Sequence, residues 1–248
     1  MKPPPLNTYT ALSLWIDFGS GHYGRYRDWY EPEASTKPIS LLTCPSCFRK
    51  FGTEYSVIRA VNSKKDKKCN DPLPQMLKTL CGYAESMRDP ENLDRITDEL
   101  NSHVGQHFTS VRAPSMISKV AAFLHPEYIV PFDSYAKGGV KKLDKSALPS
   151  DNSEKSARQK VMLARYQSFC ADFEIRNESA LNTAYRQLIE IAQGTLHIPN
   201  SRKTFRKRVV DLYLMAVGGR FNSSINYLDR SFIKVRERVF RKCDCRSR

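Results

Sequence analysis

Apolar residues return at intervals of three and four along most of this chain, and that spacing directs it towards packed helices. Leu73, Met76, Leu77, Leu80 and Cys81 form one stripe, and Leu93, Ile96 and Leu100 form a second. Together they predict helix over about 73–108, restarted at Pro90 with Asp89 as a cap. Leu181, Ala184, Tyr185, Leu188, Ile189 and Ala192 make the apolar face of a helix over 178–194, with Gly194 as its stop. Further helices are predicted over 155–175 and 201–217, the last ended by Gly218 and Gly219. Pro3, Pro4 and Pro5 exclude helix at the start. Residues 37–70 read as irregular or short-stranded, and 144–158 as a long polar loop. The expected fold class is mainly α. It divides into an aromatic and basic N-terminal elaboration (1–72), a helical core (73–230) and a basic tail (231–248), with no internal repeat.

With 248 residues, 40% of them hydrophobic, the chain has the material for a real core. No run approaches the roughly 18 apolar residues of a membrane span, so no membrane partner is expected. The opening residues, Met1 to Pro5, lack the apolar stretch of a secretory signal. Seven irregularly spaced cysteines suit reduced thiols better than a disulfide framework, so a cytoplasmic setting is expected, and a monomer. Forty Lys and Arg against 26 Asp and Glu leave a net charge of +14. Such a field favours a polyanion through release of its condensed counterions. The tail adds to it with Lys234, Arg236, Arg238, Arg241, Lys242, Arg246 and Arg248 against Glu237 and Asp244. That tail reads equally as a phosphate grip or as a solvated face. Near the N-terminus, Trp15, Phe18, His22, Tyr23, Tyr26, Trp29 and Tyr30 are interleaved with Arg25 and Arg27. Aromatics with arginines between them suit stacking on bases, and they suit a domain core equally well.

One segment stands apart. It runs from Val111 through Arg112, Ala113, Pro114, Ser115, Met116, Ile117, Ser118 and Lys119 to Leu124. His125, Pro126, Glu127 and Tyr128 follow, then Ile129-Val130-Pro131-Phe132-Asp133-Ser134. Pro114 and Ser115 suit a helix start, since serine caps free amides of a first turn. A short apolar helix is then expected from Ser118 to Leu124. Lys119 in its first turn would oppose the helix dipole, which invites a functional explanation. The apolar connector 129–132 delivers Asp133 to the edge of a core.

This segment resembles the helix-hairpin-helix DNA glycosylases, particularly the branch similar to 8-oxoguanine glycosylase. Pro114, Lys119, Val120 and Ala121 fall in register with that family's hairpin, and Val130-Pro131-Phe132-Asp133 falls on its apolar-proline-x-aspartate motif. The matching motif occupies about 109–135. Ser115 and Ile117 stand where the family has glycines, and Thr204 to Asp211 also looks like the closing helix of bacterial glycosylase-like proteins.

The resemblance implies a helix-hairpin-helix core on double-stranded DNA, needing no cofactor and no metal. It implies Lys119 as the Schiff-base lysine and Asp133 as the carboxylate beside the anomeric carbon. Arg112, Ser115, Ser118, Lys141, Lys142, Arg202, Lys203, Arg206 and Lys207 become candidates for gripping phosphates. Trp15, Tyr26, Trp29 and Phe132 become candidates for a base pocket. The bacterial proteins that look like this one include an anti-phage group that excises glucosylated hydroxymethylcytosine. Local chemistry alone also accommodates Lys119 as an ordinary surface lysine and Asp133 as a helix cap.

Three other constellations bear on function. Cys44-x-x-Cys47 is half of a zinc ribbon, whose remaining ligands would come from Cys69, Cys81, His103, His107, Cys243 or Cys245. A second Cys-x-x-Cys is missing, which favours free thiols. A metal-dependent nuclease would use Asp133 as its acid, but the second acid-x-lysine is absent except at Asp66-Lys67-Lys68, in a lysine-rich loop. A non-enzymatic nucleic-acid-binding protein would rely on the basic tail.

Overall fold

A computed structural model describes residues 5–27, 42–54, 73–102, 113–149, 162–192 and 195–221. Among them every regular element is a helix, so the mainly α class stands and the short strands expected near the N-terminus are not found among the described residues. In chain order these are α1 (Thr8–Leu14), α2 (Ser20–Arg25), α3 (Pro45–Glu54), α4 (Leu73–Gly82), α5 (Asn92–Ser102) and α6 (Ala113–Leu124). They continue with α7 (Ser134–Leu143), α8 (Met162–Arg176), α9 (Glu178–Ala192) and α10 (Arg202–Gly218). No described helix is long and apolar enough to cross a membrane.

The chain sorts into two compact units, each assembled from segments distant in sequence. The first comprises Met1–Tyr26, Asp133–Leu148 and Ser168–Arg248; the second comprises Arg27–Phe132 and Pro149–Gln167. Linear composition, which suggested a division near residue 72, cannot display such interleaving.

In the first unit, α1 and α2 are joined by a π-helical turn, Trp15–Gly19, that keeps right-handed backbone throughout. The Trp15 ring lies over Gly19, where a Cβ would come within 2.6 Å of it. Asn7 opens α1 by accepting from the Thr10 amide at 2.9 Å. Against this run pack α9 and α10, with Trp15 ringed by Tyr23 and Phe205 and its indole N–H donating to the His197 carbonyl at 3.0 Å. Helix α10 stops at Gly219, whose φ of +103° only glycine adopts without strain.

The second unit packs α5 against α6, with Leu93, Ile96, Leu100, Met116, Ile117, Val120 and Ala121 all buried. Helix α3 falls inside the stretch read as irregular. Its buried apolar side chains, Phe48 and Phe51, are three apart on a short helix, too brief a stripe to show periodicity. Phe51 meets Phe123 of α6 edge-on at 5.1 Å between ring centres.

Candidate active site

Helix α6 begins at Ala113, not at Ser118, because Met116, Ile117 and Val120 already belong to its buried face. Lys119 therefore sits in the second turn, half-buried, and the dipole conflict expected of a first-turn lysine does not arise. Its neighbour Ser118 is fully buried. The Ser118 hydroxyl accepts from the Phe132 amide at 3.0 Å and lies 3.2 Å from the Ser115 carbonyl, to which it donates. The residue before Lys119 is thus bonded to the residue before Asp133.

The connector is held as a strand would be, but by side chains. Gln167 accepts from the Val130 amide at 3.0 Å and donates to the Val130 carbonyl at 2.7 Å. Tyr166 donates its hydroxyl to the Pro131 carbonyl at 2.8 Å and meets the Phe132 ring edge-on. Every backbone group so engaged is buried, where an unpaired one would cost about 1–3 kcal/mol. The chain is thereby fixed up to the residue before Asp133.

Asp133 is the N-cap of α7. Its backbone is extended (φ −140°, ψ 178°) and its Oδ1 accepts from the Ala136 amide at 2.8 Å. The side chain is half-buried, and Oδ2 has no hydrogen-bond partner among the described residues. Helix α7 is seated on α10 at backbone contact: a Cβ on Gly139 would lie 2.1 Å from the Leu214 carbonyl oxygen. Lys142 donates to the Val217 carbonyl at 2.9 Å, and Lys141 is half-buried on the same helix.

The basic start of α10 is not uniformly available. Ser201 caps it through the Thr204 amide, and Arg202 and Lys203 are exposed. One turn on, Arg206 and Lys207 pair with the two oxygens of Glu174 at 2.8 and 2.9 Å. Arg206 also bonds Glu178, whose carboxyl that hydrogen bond holds below the usual carboxylate range. These carboxylates neutralise cations that would otherwise oppose the α10 dipole. Arg208 pairs with Asp211 at 2.8 Å inside the core.

The aromatic candidates among the described residues, Trp15, Tyr26 and Phe132, are core side chains. Trp15 is fully buried, Tyr26 is 5% exposed and Phe132 is 8% exposed. Between them in sequence, His22 is pushed down to about 2 by burial, then by Arg208, Arg25 and Arg220, so it stays neutral at physiological pH. Arg112, Trp29 and the tail 231–248 lie outside the described residues, as do Cys69, His103, His107, Cys243, Cys245 and Gly194. Among the described residues no three metal-ligating side chains converge.

One feature escaped sequence reasoning. At the C-terminal end of α6 a surface pocket of about 340 Å³ is lined by Glu85, Arg88, Leu124, His125, Glu127 and Tyr128. His125 Nε2 lies 2.7 Å from the Ala84 carbonyl oxygen, and the Arg88 guanidinium stacks 4.4 Å above the Tyr128 ring. Nothing in the spacing links Arg88 to Tyr128, 40 residues away. In comparisons with known proteins, no family model, curated protein or solved structure matches this chain.

Proposed function

We propose that the protein is a DNA N-glycosylase that everts a modified nucleotide and cleaves its N-glycosidic bond, with Asp133 as the carboxylate that acts at the sugar. The observation carrying this reading is the state of Asp133. It is anchored through one oxygen to the first turn of α7, with the other oxygen open and the residue before it bonded to Ser118. A carboxylate held this way is pre-positioned without being used up. As the base leaves, the sugar gains oxocarbenium character, which an anionic oxygen stabilises or to which it directs water. Eversion costs a few kcal/mol, drawn from contacts to the flanking phosphates. Lys141, on α7, is a described side chain suited to those contacts, whereas Arg202 and Lys203, at the opposite end of α10 from the start of α7, suit phosphates further along the duplex. Lys119 is assigned the nucleophile role, which would add strand cleavage to base release. Glucosylated hydroxymethylcytosine is the substrate to test first, on the strength of the sequence resemblance, and the setting would be defence against phage.

Asparagine caps a helix as well as aspartate does but carries no charge. Base-release mass spectrometry on a panel of modified duplexes, glucosylated phage DNA included, is therefore run with wild type and Asp133→Asn. The expected outcome is release by wild type and a loss of at least about a hundredfold in the variant, with an unchanged melting temperature. Equal release by both would reduce Asp133 to a cap. A second reading, a nucleic-acid-binding protein without chemistry, draws on the cap itself, since capping alone accounts for an aspartate at this position. It predicts binding with no alkali-labile site in any duplex, whereas a nuclease would cut and stop when metal is chelated.

A further inference from the structure

Cys44 and Cys47 bracket the first turn of α3, and neither belongs to the proposed excision chemistry. Cys44 immediately precedes Pro45, the first residue of α3, and its carbonyl accepts from the Phe48 amide at 3.0 Å. The sulfur of Cys44 accepts from the Cys47 amide at 3.3 Å and lies 3.2 Å from the Ser46 hydroxyl. Both thiols are half-buried and reduced, in contrast to Cys170, which is sealed in the core. With the Cys44 sulfur only 3.3 Å from the Cys47 backbone nitrogen, the two side chains are near enough for a disulfide to close with a small backbone adjustment. One and two turns on from Cys44 along the same face of α3, Phe48 and Phe51 are both fully buried, so the helix stays anchored beyond the turn that would adjust.

We propose that Cys44 and Cys47 are a redox-active dithiol that exchanges reversibly with small disulfides, Cys44 attacking and Cys47 resolving. The two sulfurs are not equivalent. Hydrogen bonds from Cys47 and then Ser46 hold the Cys44 thiol below its usual range, whereas burial and then the Cys44 neighbour push the Cys47 thiol up. A helix N-terminus favours a thiolate for the same reason it favours any anion. In the forward direction the Cys44 thiolate attacks one sulfur of a disulfide RS–SR. A Cys44–SR bond forms, the S–S bond breaks, and RS⁻ leaves to take up a proton. Cys47 then loses its proton to solvent and its thiolate attacks the Cys44 sulfur. That step closes the Cys44–Cys47 bond and releases the second RS⁻, which is protonated in turn. One disulfide is reduced to two thiols and one dithiol is oxidised to one disulfide. Zinc binding is the competing use of the motif, and among the described residues no third ligand joins the pair.

The test equilibrates the full-length chain with oxidised and reduced glutathione and maps its cysteines by peptide mass spectrometry. Wild type is expected to form the Cys44–Cys47 disulfide. Cys47→Ser is expected to accumulate glutathione on Cys44, and Cys44→Ser to take up about tenfold less on Cys47. On the unsubstituted chain, which needs no variant to fold, iodoacetamide is expected to label Cys44 about tenfold faster than Cys47. Equal labelling of the two with no Cys44–Cys47 disulfide would overturn the proposal. So would stoichiometric zinc that protects both thiols.

Discussion

Two aspartates of this chain do the same local job in different surroundings. Asp133 caps its own helix from a half-buried position, whereas Asp94 caps α8 from a helix distant in sequence. Its Oδ1 and Oδ2 accept from the Leu163 and Ala164 amides at 2.9 and 2.8 Å, and the residue is only 5% exposed. Burial pushes the Asp94 carboxyl above the usual range, against the opposing pull of those amides. A folded-state value above the unfolded one means that the folded protein binds this proton more readily. The resulting stabilisation is complete below the ordinary carboxylate range and is lost as pH rises through the folded value. Asp94→Asn keeps an acceptor but cannot titrate. Urea unfolding of both proteins at about pH 7 and about pH 4 should show the balance shifting towards wild type at the lower pH. A difference that is constant, or that shifts towards the variant, would show that burial does not govern this carboxyl. Asp94→Ala, which lacks the acceptors altogether, is expected to lose about 1–2 kcal/mol at about pH 7 and, since alanine does not titrate either, more at about pH 4.

Helices placed by long apolar stripes were legible in the sequence, and contacts between them were not. The buried faces of α4, α5 and α9 follow from spacing except at Cys81 and Ile189, which those stripes included and which are exposed at the edges of their faces, and Gly219 ends α10 where a glycine pair suggested it. The clamp of Ser118 on Phe132 joins residues 14 apart, and that of Gln167 on Val130 joins residues 37 apart, beyond any local pattern. The cap at Asp133 was legible because capping is local chemistry. The closest helix approach was also hidden, since glycine in a helix reads only as a weak spot. Gly139 is there because α10 occupies the place of its side chain. Gly139→Ala would drive a methyl group to 2.1 Å from the Leu214 carbonyl oxygen and force α7 off α10. The expected cost is about 1–3 kcal/mol in thermal or urea unfolding. Gly138→Ala is the control, because its methyl group would meet Gly218 Cα at an ordinary 3.8 Å. Alanine's better helix propensity should make that variant neutral or more stable by up to about 1 kcal/mol. Equal losses at both positions would show that helix propensity and local backbone, not the α7–α10 seat, set the outcome.

Over the whole molecule, net charge and usable charge differ. The chain carries +14, yet Arg206, Lys207 and Arg208 are held by Glu174, Glu178 and Asp211, whereas Arg202 and Lys203 on the same helix are exposed. Only cations that exchange counterions for phosphate contribute to the salt dependence of DNA binding, each by about 0.9 in the slope of log affinity against log salt. The Arg202→Ala, Lys203→Ala double variant should therefore lower the magnitude of that slope by about 2, weakening binding alike on all duplex sequences. Lys207→Ala should leave the slope nearly unchanged. Its cost should appear as lost stability, because it leaves the buried Glu174 with one cation fewer. Fluorescence anisotropy on one duplex across a salt series, with urea unfolding of the same preparations, separates the two effects. If Lys207→Ala lowered the slope as much as the double variant does, the ion pairs of α10 would have to open on binding, and phosphate contact would extend a full turn further along the helix.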